Sequence, residues 1–413
     1  MSATEPLPAK STRAVWIALF GVSVLKLAWA ATSAGSVDAV LFFNFARALE
    51  EHGLCGVYAL DPKYNHTPLT GVFVRTLLRV AGGEFMVFSF LLRLAASVAD
   101  VVVVAALLQW REKLPPVPTW GLVLLAASPV SLMVSGFHGN VDPLLVALLF
   151  LAAVAGAQER PALAGLLYGL SCQVKIVPLA FAPVFFFFWL ARGRAWRFAW
   201  PAALTLLAGS ALPLLEAPGP YLRNVFAYGS SWGVWGVPYL LKLTGWEAVQ
   251  KIDFHGLGAE QRAIAQGLKC ALLGSIALIG WVRRGTAARE LPATLGMAWV
   301  AFFIFAPGVG VQYLTWFAPF VLLWCARRYA LLTAGATVFL AVFYHTTAEG
   351  RFPWFLAVPR GPETPLWSAV GLPVWLLFVG LGLGALWAVR PGWRQWHSRC
   401  SVGSDGLAKS TVG

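Results

Sequence analysis

The sequence predicts an all-α integral membrane protein, a bundle of about 10–13 transmembrane helices with almost no soluble domain. Three observations carry this. Of 413 residues, 59% are hydrophobic and 12% charged, against about 25% charged in a soluble domain. Apolar runs recur from one end of the chain to the other. The Lys and Arg residues sit in the short links between those runs, on alternate sides. A chain of this composition cannot hide its apolar surface in one aqueous core and needs lipid as solvent.

The runs fall near residues 14–32, 85–109, 119–135, 143–157, 162–174, 178–191, 198–215, 263–282, 291–306, 313–325, 330–345 and 367–389. Several are shorter than the roughly 20 residues of a full crossing. The pair 162–174 and 178–191 reads as a shallow hairpin or as broken helices. The first run is long and lacks a small-x-small cleavage site, so it reads as a span rather than a cleaved signal. With the N-terminus inside, every short inside loop is basic, from Arg111 and Lys113 through Arg160, Arg192, Arg194 and Arg197 to Arg283, Arg284, Arg327 and Arg328. The outside turns "SGFHGNVDP" and "APGVGVQ" carry no Lys or Arg. Positive-inside bias then puts both termini in the cytoplasm. The net charge of +13 has this explanation and implies no nucleic-acid partner. Five cysteines without a CxxC or Cys/His cluster exclude a disulfide framework or zinc site. Residues 1–396 form one transmembrane domain with long outer loops at 33–84, 216–262 and 346–366, and 397–413 a polar cytoplasmic tail expected to be disordered.

The first outer loop opens on a stretch from Val37 to Glu51 with Val40, Leu41, Phe45, Ala48 and Leu49 at helical spacing, a polar end at Arg47, Glu50, Glu51 and His52, and Gly53 as the stop. This predicts an amphipathic helix on the outer surface. Asp38, at its start, lies at headgroup level, where a carboxylate can act on a lipid-linked substrate. The plainer reading is that Asp38 or Ser36 caps the helix. Tyr64 and His66 in "KYNHTPL" close the loop. His138, Asn140 and Asp142 crowd a tight outside turn, where Asp142 before Pro143 reads as a helix N-cap. Lys175 lies between two apolar runs and Arg93 inside one. Cations at membrane depth are costly, which makes them functional candidates with an anionic phosphate as the natural partner; a snorkelling Lys175 is the alternative. Gln312 and Tyr313 stand at a further outside entrance, where an aromatic belt also explains the tyrosine.

These residues match a known pattern. "D-x-x-x-(F/Y)…A…G…Y…Y-x-x-x-PL" reads here Asp38, Phe42, Ala46, Gly53, Tyr58, Tyr64 and Pro68-Leu69. It resembles the first luminal loop of GT-C glycosyltransferases, multispan enzymes that use polyprenyl- or dolichyl-phosphate-linked sugars. The mannosyltransferases of GPI-anchor synthesis and of bacteria are the nearest in kind; "GFHGNVDPL" and "VQYLTW" are similar to segments of the bacterial ones. The resemblance implies an inverting transfer of a sugar, mannose by analogy, from a polyprenyl-phosphate donor to a lipid-linked or glycan acceptor. Asp38 would be the base, Lys175 and Arg93 would hold the donor phosphate, and Tyr64, His66, His138, Asn140, Asp142, Gln312 and Tyr313 would bind substrate. The GPI enzymes carry paired acids, D-x-D, where this chain has Ser36-Val37-Asp38, so no metal or other cofactor is implied. Richness in Ala, Leu, Gly and Arg points to a bacterial plasma membrane. A transporter or lipid flippase, and an inactive assembly subunit, are the competing readings.

Overall fold

The computed structural model describes residues 9–226, 232–246, 257–347 and 365–388. The expected polar tail at 397–413 and much of the third outer loop lie outside these residues. The described chain is helical, without a β-strand. The helices are α1 (Ala9–Thr32), α2 (Val37–Leu60), α3 (Pro68–Val80), α4 (Phe85–Gln109), α5 (Thr119–Ala126), α6 (Pro129–Met133), α7 (Asp142–Ala157), α8 (Pro161–Val174), α9 (Ala182–Leu190), α10 (Ala195–Glu216), α11 (Pro218–Phe226), α12 (Gly236–Leu243), α13 (Ala259–Arg283), α14 (Leu291–Phe305), α15 (Ala318–Trp324), α16 (Ala326–Thr347) and α17 (Pro365–Ala388). Seven helical segments are long and apolar enough to cross a membrane, and five shorter apolar ones accompany them. Together they account for every run expected to span.

Two polar pins tie the first spans together inside the apolar bundle. At one level, the Arg93 guanidinium donates to Ser33 Oγ, Ser33 O, Ala30 O and Ser89 O at 2.7–3.0 Å. It satisfies the carbonyls left unpaired where α1 ends. About two turns deeper, Lys26 Nζ on α1 bonds Asp100 on α4 at 2.7 Å and Ser131 on α6 at 2.6 Å. An unpaired charge at that depth would cost several kcal/mol. The pair explains why Asp100, too far from Arg93 for a helical ion pair, needs no partner on its own helix.

The α8–α9 pair is a hairpin, which decides between the two sequence readings. α8 stops at Val174, Lys175 is extended (φ −153°, ψ 143°), and a short 3-10 turn at Val177–Phe181 leads into α9. Both far ends meet at the same place: Arg192 reaches Glu159 at 3.9 Å and donates to Arg284 O and Thr286 O. Three basic links therefore gather at one end of the bundle, and Lys175 stands at the tip pointing to the other. With a rise of about 1.5 Å per residue, α8 spans roughly 21 Å and α10 roughly 33 Å. The hairpin tip is thus sunk about 10 Å below the far end of α10.

Helix α8 runs parallel to α10 in close contact. A Cβ on Gly165 would collide with Phe198 O, and one on Gly169 would lie 2.7 Å from Thr205 Cβ. This spacing of small residues lets two backbones approach where lipid offers no hydrophobic drive. Gly165→Ala is expected to lower thermal stability in detergent by about 1–3 kcal/mol through overpacking. Gly267→Ala, where nothing lies within 4 Å, serves as control and should cost nothing; equal effects in a melting experiment would refute the close-packing account.

Candidate active site

The loop from Ser33 to Asp38 and the turn from Val134 to Asn140 meet at the end of the bundle opposite the basic links. Ser36 caps α2: its Oγ accepts from the Asp38 amide at 3.1 Å and donates to His138 O at 2.6 Å. Capping therefore falls to Ser36, and the Asp38 side chain is left for other work. Gly139 has φ +79°, and a Cβ there would lie 3.0 Å from Ala39 Cβ, so the turn can approach α2 only because this residue is glycine.

Three donors from two distant parts of the chain converge on one oxygen. Asp38 Oδ2 accepts from His138 Nε2 at 2.9 Å, Asn140 Nδ2 at 2.6 Å and, more loosely, Gln312 Nε2 at 3.4 Å. Oδ1 accepts from no described residue, and the side chain keeps 22% of its exposure. A carboxylate can only accept, so His138 Nε2 carries the proton. Its Nδ1 lies 2.9 Å from Tyr344 Oη. Burial pushes the Asp38 carboxyl up, but the charge and hydrogen bond of His138, the Asn140 amide and the Lys175 charge outweigh it and hold it at about 2.

Beside this cluster, Lys175 Nζ pairs with Asp142 Oδ1 at 2.7 Å, both buried. The ammonium lies 5.0 Å from the Tyr313 ring centre and 5.6 Å from that of Trp316, within cation–π range. Tyr313 and Trp316 stack on each other at 3.8 Å. Asp142 Oδ2 is buried with no hydrogen-bond partner among the described residues. The pair is thus neutral overall but not saturated. Asp142 occupies the first turn of α7; the residue in the cap position is Val141, which has no capping group. The N-cap role expected of Asp142 is corrected: its carboxylate turns instead to Lys175, because a lysine at this depth must be neutralised.

A model of glycosyltransferase family 87 matches residues 64–307. The chain belongs to glycosyltransferase family 87. This is a GT-C type family of polyprenyl-phosphate-sugar glycosyltransferases. No curated protein matches the chain. The matched stretch holds His66, His138, Asn140, Asp142 and Lys175; Asp38, Gln312 and Tyr344 lie outside it and reach the cluster through the fold.

Two other candidates of this family 87 chain sit differently from the sequence reading. Arg93 is fully buried and makes four hydrogen bonds, three to the end of α1 and one to Ser89 O. It fixes the start of the Ser33–Asp38 loop and offers nothing to a phosphate. Tyr64 is likewise fully buried, packed edge-on against Phe45 and tilted against Tyr58 at 5.2 and 5.0 Å; it shapes the loop from behind. His66 is closer to the chemistry. It packs on Phe42 at 4.8 Å, and its Nδ1 has no partner among the described residues. Burial first, then the Lys175 charge, push it down to about 3, with Asp38 opposing. Tyr344, Ser36, Lys26 and Asp100 escaped the sequence reading of function, since nothing in local composition marks a residue by a partner 70 or more positions away.

Two predictions follow from this geometry. Lys175→Met leaves the Asp142 charge buried and should destabilise by about 3–5 kcal/mol, whereas Lys175→Met with Asp142→Leu should recover most of that. If the double variant melts no higher than the single, the pair does not hold the hairpin tip. His66 has a folded pKa below its unfolded value of about 6.5, so its contribution to stability is complete above pH 6.5 and is lost as pH falls from there toward about 3. The melting temperature should therefore fall between pH 7 and pH 5, and His66→Phe should flatten that fall; an unchanged slope would contradict the assignment.

Proposed function

We propose that this glycosyltransferase moves a sugar, mannose by analogy with the enzymes it resembles, from a polyprenyl-phosphate donor to a lipid-linked or glycan acceptor with inversion at the anomeric carbon. The observation that supports this reading best is the Asp38 carboxylate, fastened through Oδ2 and open at Oδ1. An acceptor hydroxyl needs a base, and Oδ1 accepts from no described residue. A phosphate is already a good leaving group, so a second carboxyl acting as acid is not required.

At rest Asp38 is a weak base, because its proton affinity is so low. It gains basicity as donors withdraw from Oδ2, and the 3.4 Å Gln312 contact is the loosest of the three. An acceptor hydroxyl that takes the Gln312 amide for itself would raise the basicity of Asp38 as it binds. His138, braced by Tyr344, would keep the carboxylate aimed. Lys175 would meet the departing phosphate in a low-dielectric site, where a fixed cation is worth most. Asp142 neutralises that ammonium at rest, so the phosphate must share it. His66, neutral and with a vacant Nδ1, would contact the sugar. Membership of a transferase family and the convergence on Asp38 favour an enzyme over a transporter or an inactive subunit. Donor entry from the outer leaflet of a bacterial plasma membrane, with both termini cytoplasmic, belongs to the same proposal and rests on the loop charges.

Asp38→Asn should lower transfer in proteoliposomes by about 10²–10⁴-fold while the protein still melts cooperatively. Gln312→Ala should cost less, mainly in acceptor KM. Retention of full activity by Asp38→Asn would remove the base assignment, and analysis of the lipid-linked product that disappears on deletion would identify the sugar.

A further inference from the structure

The end of the bundle opposite Asp38 carries a feature that sugar transfer does not use. Where α8 and α10 begin side by side, a groove of about 600 Å³ opens, lined by Arg160, Leu163, Trp196, Arg197, Trp200 and Pro201. The positions just before the two helices, Arg160 and Arg194, provide no side-chain cap. Both helix dipoles therefore direct partial positive charge at the same place, and each favours an anion there. Arg160 and Arg197 make no ion pair or side-chain hydrogen bond with any described residue. The adjacent acid, Glu159, is turned toward Arg192.

Trp196 and Trp200 stack at 5.7 Å with 29° between their planes, yet are 72% and 55% exposed. Leu204 and Leu207 continue the same exposed face along α10. The groove is thus cationic at its rim and apolar down the helix. An interfacial aromatic belt explains the tryptophans alone, but not a cavity with two unpaired arginines. A free phosphate would answer the arginines and leave the apolar face unused.

The geometry points to a binding site for an anionic phospholipid, its phosphodiester between Arg160 and Arg197 and its acyl chains along Trp196, Trp200 and Leu204. Arginine forks suit phosphate oxygens, and basic residues at a membrane face attract anionic headgroups. A zwitterionic lipid fits the apolar face equally but brings its own cation to the arginines. The site is independent of Asp38 and of the transfer reaction.

Native mass spectrometry of the detergent-solubilised full chain, titrated separately with phosphatidylglycerol, phosphatidylcholine and inorganic phosphate, tests this. The wild type should retain phosphatidylglycerol at least about tenfold more tightly than phosphatidylcholine and should not retain phosphate. Arg160→Gln with Arg197→Gln should erase the preference between the lipids, and Trp196→Ala with Trp200→Ala should weaken both. Arg111→Gln, another basic position at this end, half-buried, should change nothing. Equal retention of the two lipids by the wild type, a preference that survives the double arginine variant, or an equal loss in Arg111→Gln would each overturn the proposal. If the double variant fails to melt cooperatively, the single Arg197→Gln decides, with at least a threefold loss of preference expected and no loss overturning the site.

Discussion

A carboxylate at the mouth of an apolar bundle has to be solvated by the protein itself, and the rest of this structure is arranged around that need at Asp38. Its donors come from the turn after α6 and from the segment before α15, so the first and later parts of the chain are joined at a single oxygen. Each support has a support of its own. Ser36 takes the cap that Asp38 would otherwise supply, Tyr344 braces His138, and Arg93 ends α1 at the place that lets the loop begin. Apolar packing between spans is permissive about rotation and depth; these directed bonds are not, and they set both.

The outline of this arrangement is legible in the sequence because membrane proteins are under one strong constraint. Every polar backbone group in lipid must be paired internally, so spans are helices and their positions follow from hydropathy. Loop charges then separate the two ends, which is how Asp38, His138, Asn140, Asp142 and Gln312 could be grouped before any contact was known. Who touches whom was not legible. Helices α1 and α4 are apolar on all sides, so periodicity does not reveal which face meets a neighbour. Arg93 and Lys175 read alike, as cations at depth, but one binds backbone carbonyls and the other a carboxylate. Helix α2 shows the same limit. Its buried stripe is Ala39, Phe42, Phe45, Ala46 and Leu49, while Val40 and Leu41 are only half-buried. The protein beneath, rather than lipid, selects the face. Gly53, expected to stop the helix, does break it with φ 69°, but the helix resumes to Leu60, because Val57 and Tyr58 have packing partners beyond it.

Buried charge in this chain divides into two kinds. Lys26 with Asp100, and Arg93 with the end of α1, are each held by two or more partners inside the bundle, and they act as rivets. Lys175 with Asp142, and Asp38, are open, and neutral His66 beside them likewise: Asp142 Oδ2, Asp38 Oδ1 and His66 Nδ1 have no hydrogen-bond partner among the described residues. Leaving such capacity unmet costs about 1–3 kcal/mol per group in a folded protein. It is tolerated where a ligand completes it, and these three groups lie together at one end.

The short α8–α9 hairpin has a consequence for how a greasy substrate could be handled. Because Lys175 stands well below the far end of α10, the proposed reactive region would lie within reach of a headgroup still attached to an embedded tail. Such a molecule would not have to be lifted into water to react. It could arrive by sliding sideways in the sheet of lipid, confined to two dimensions, and leave its spent carrier where the carrier already belongs.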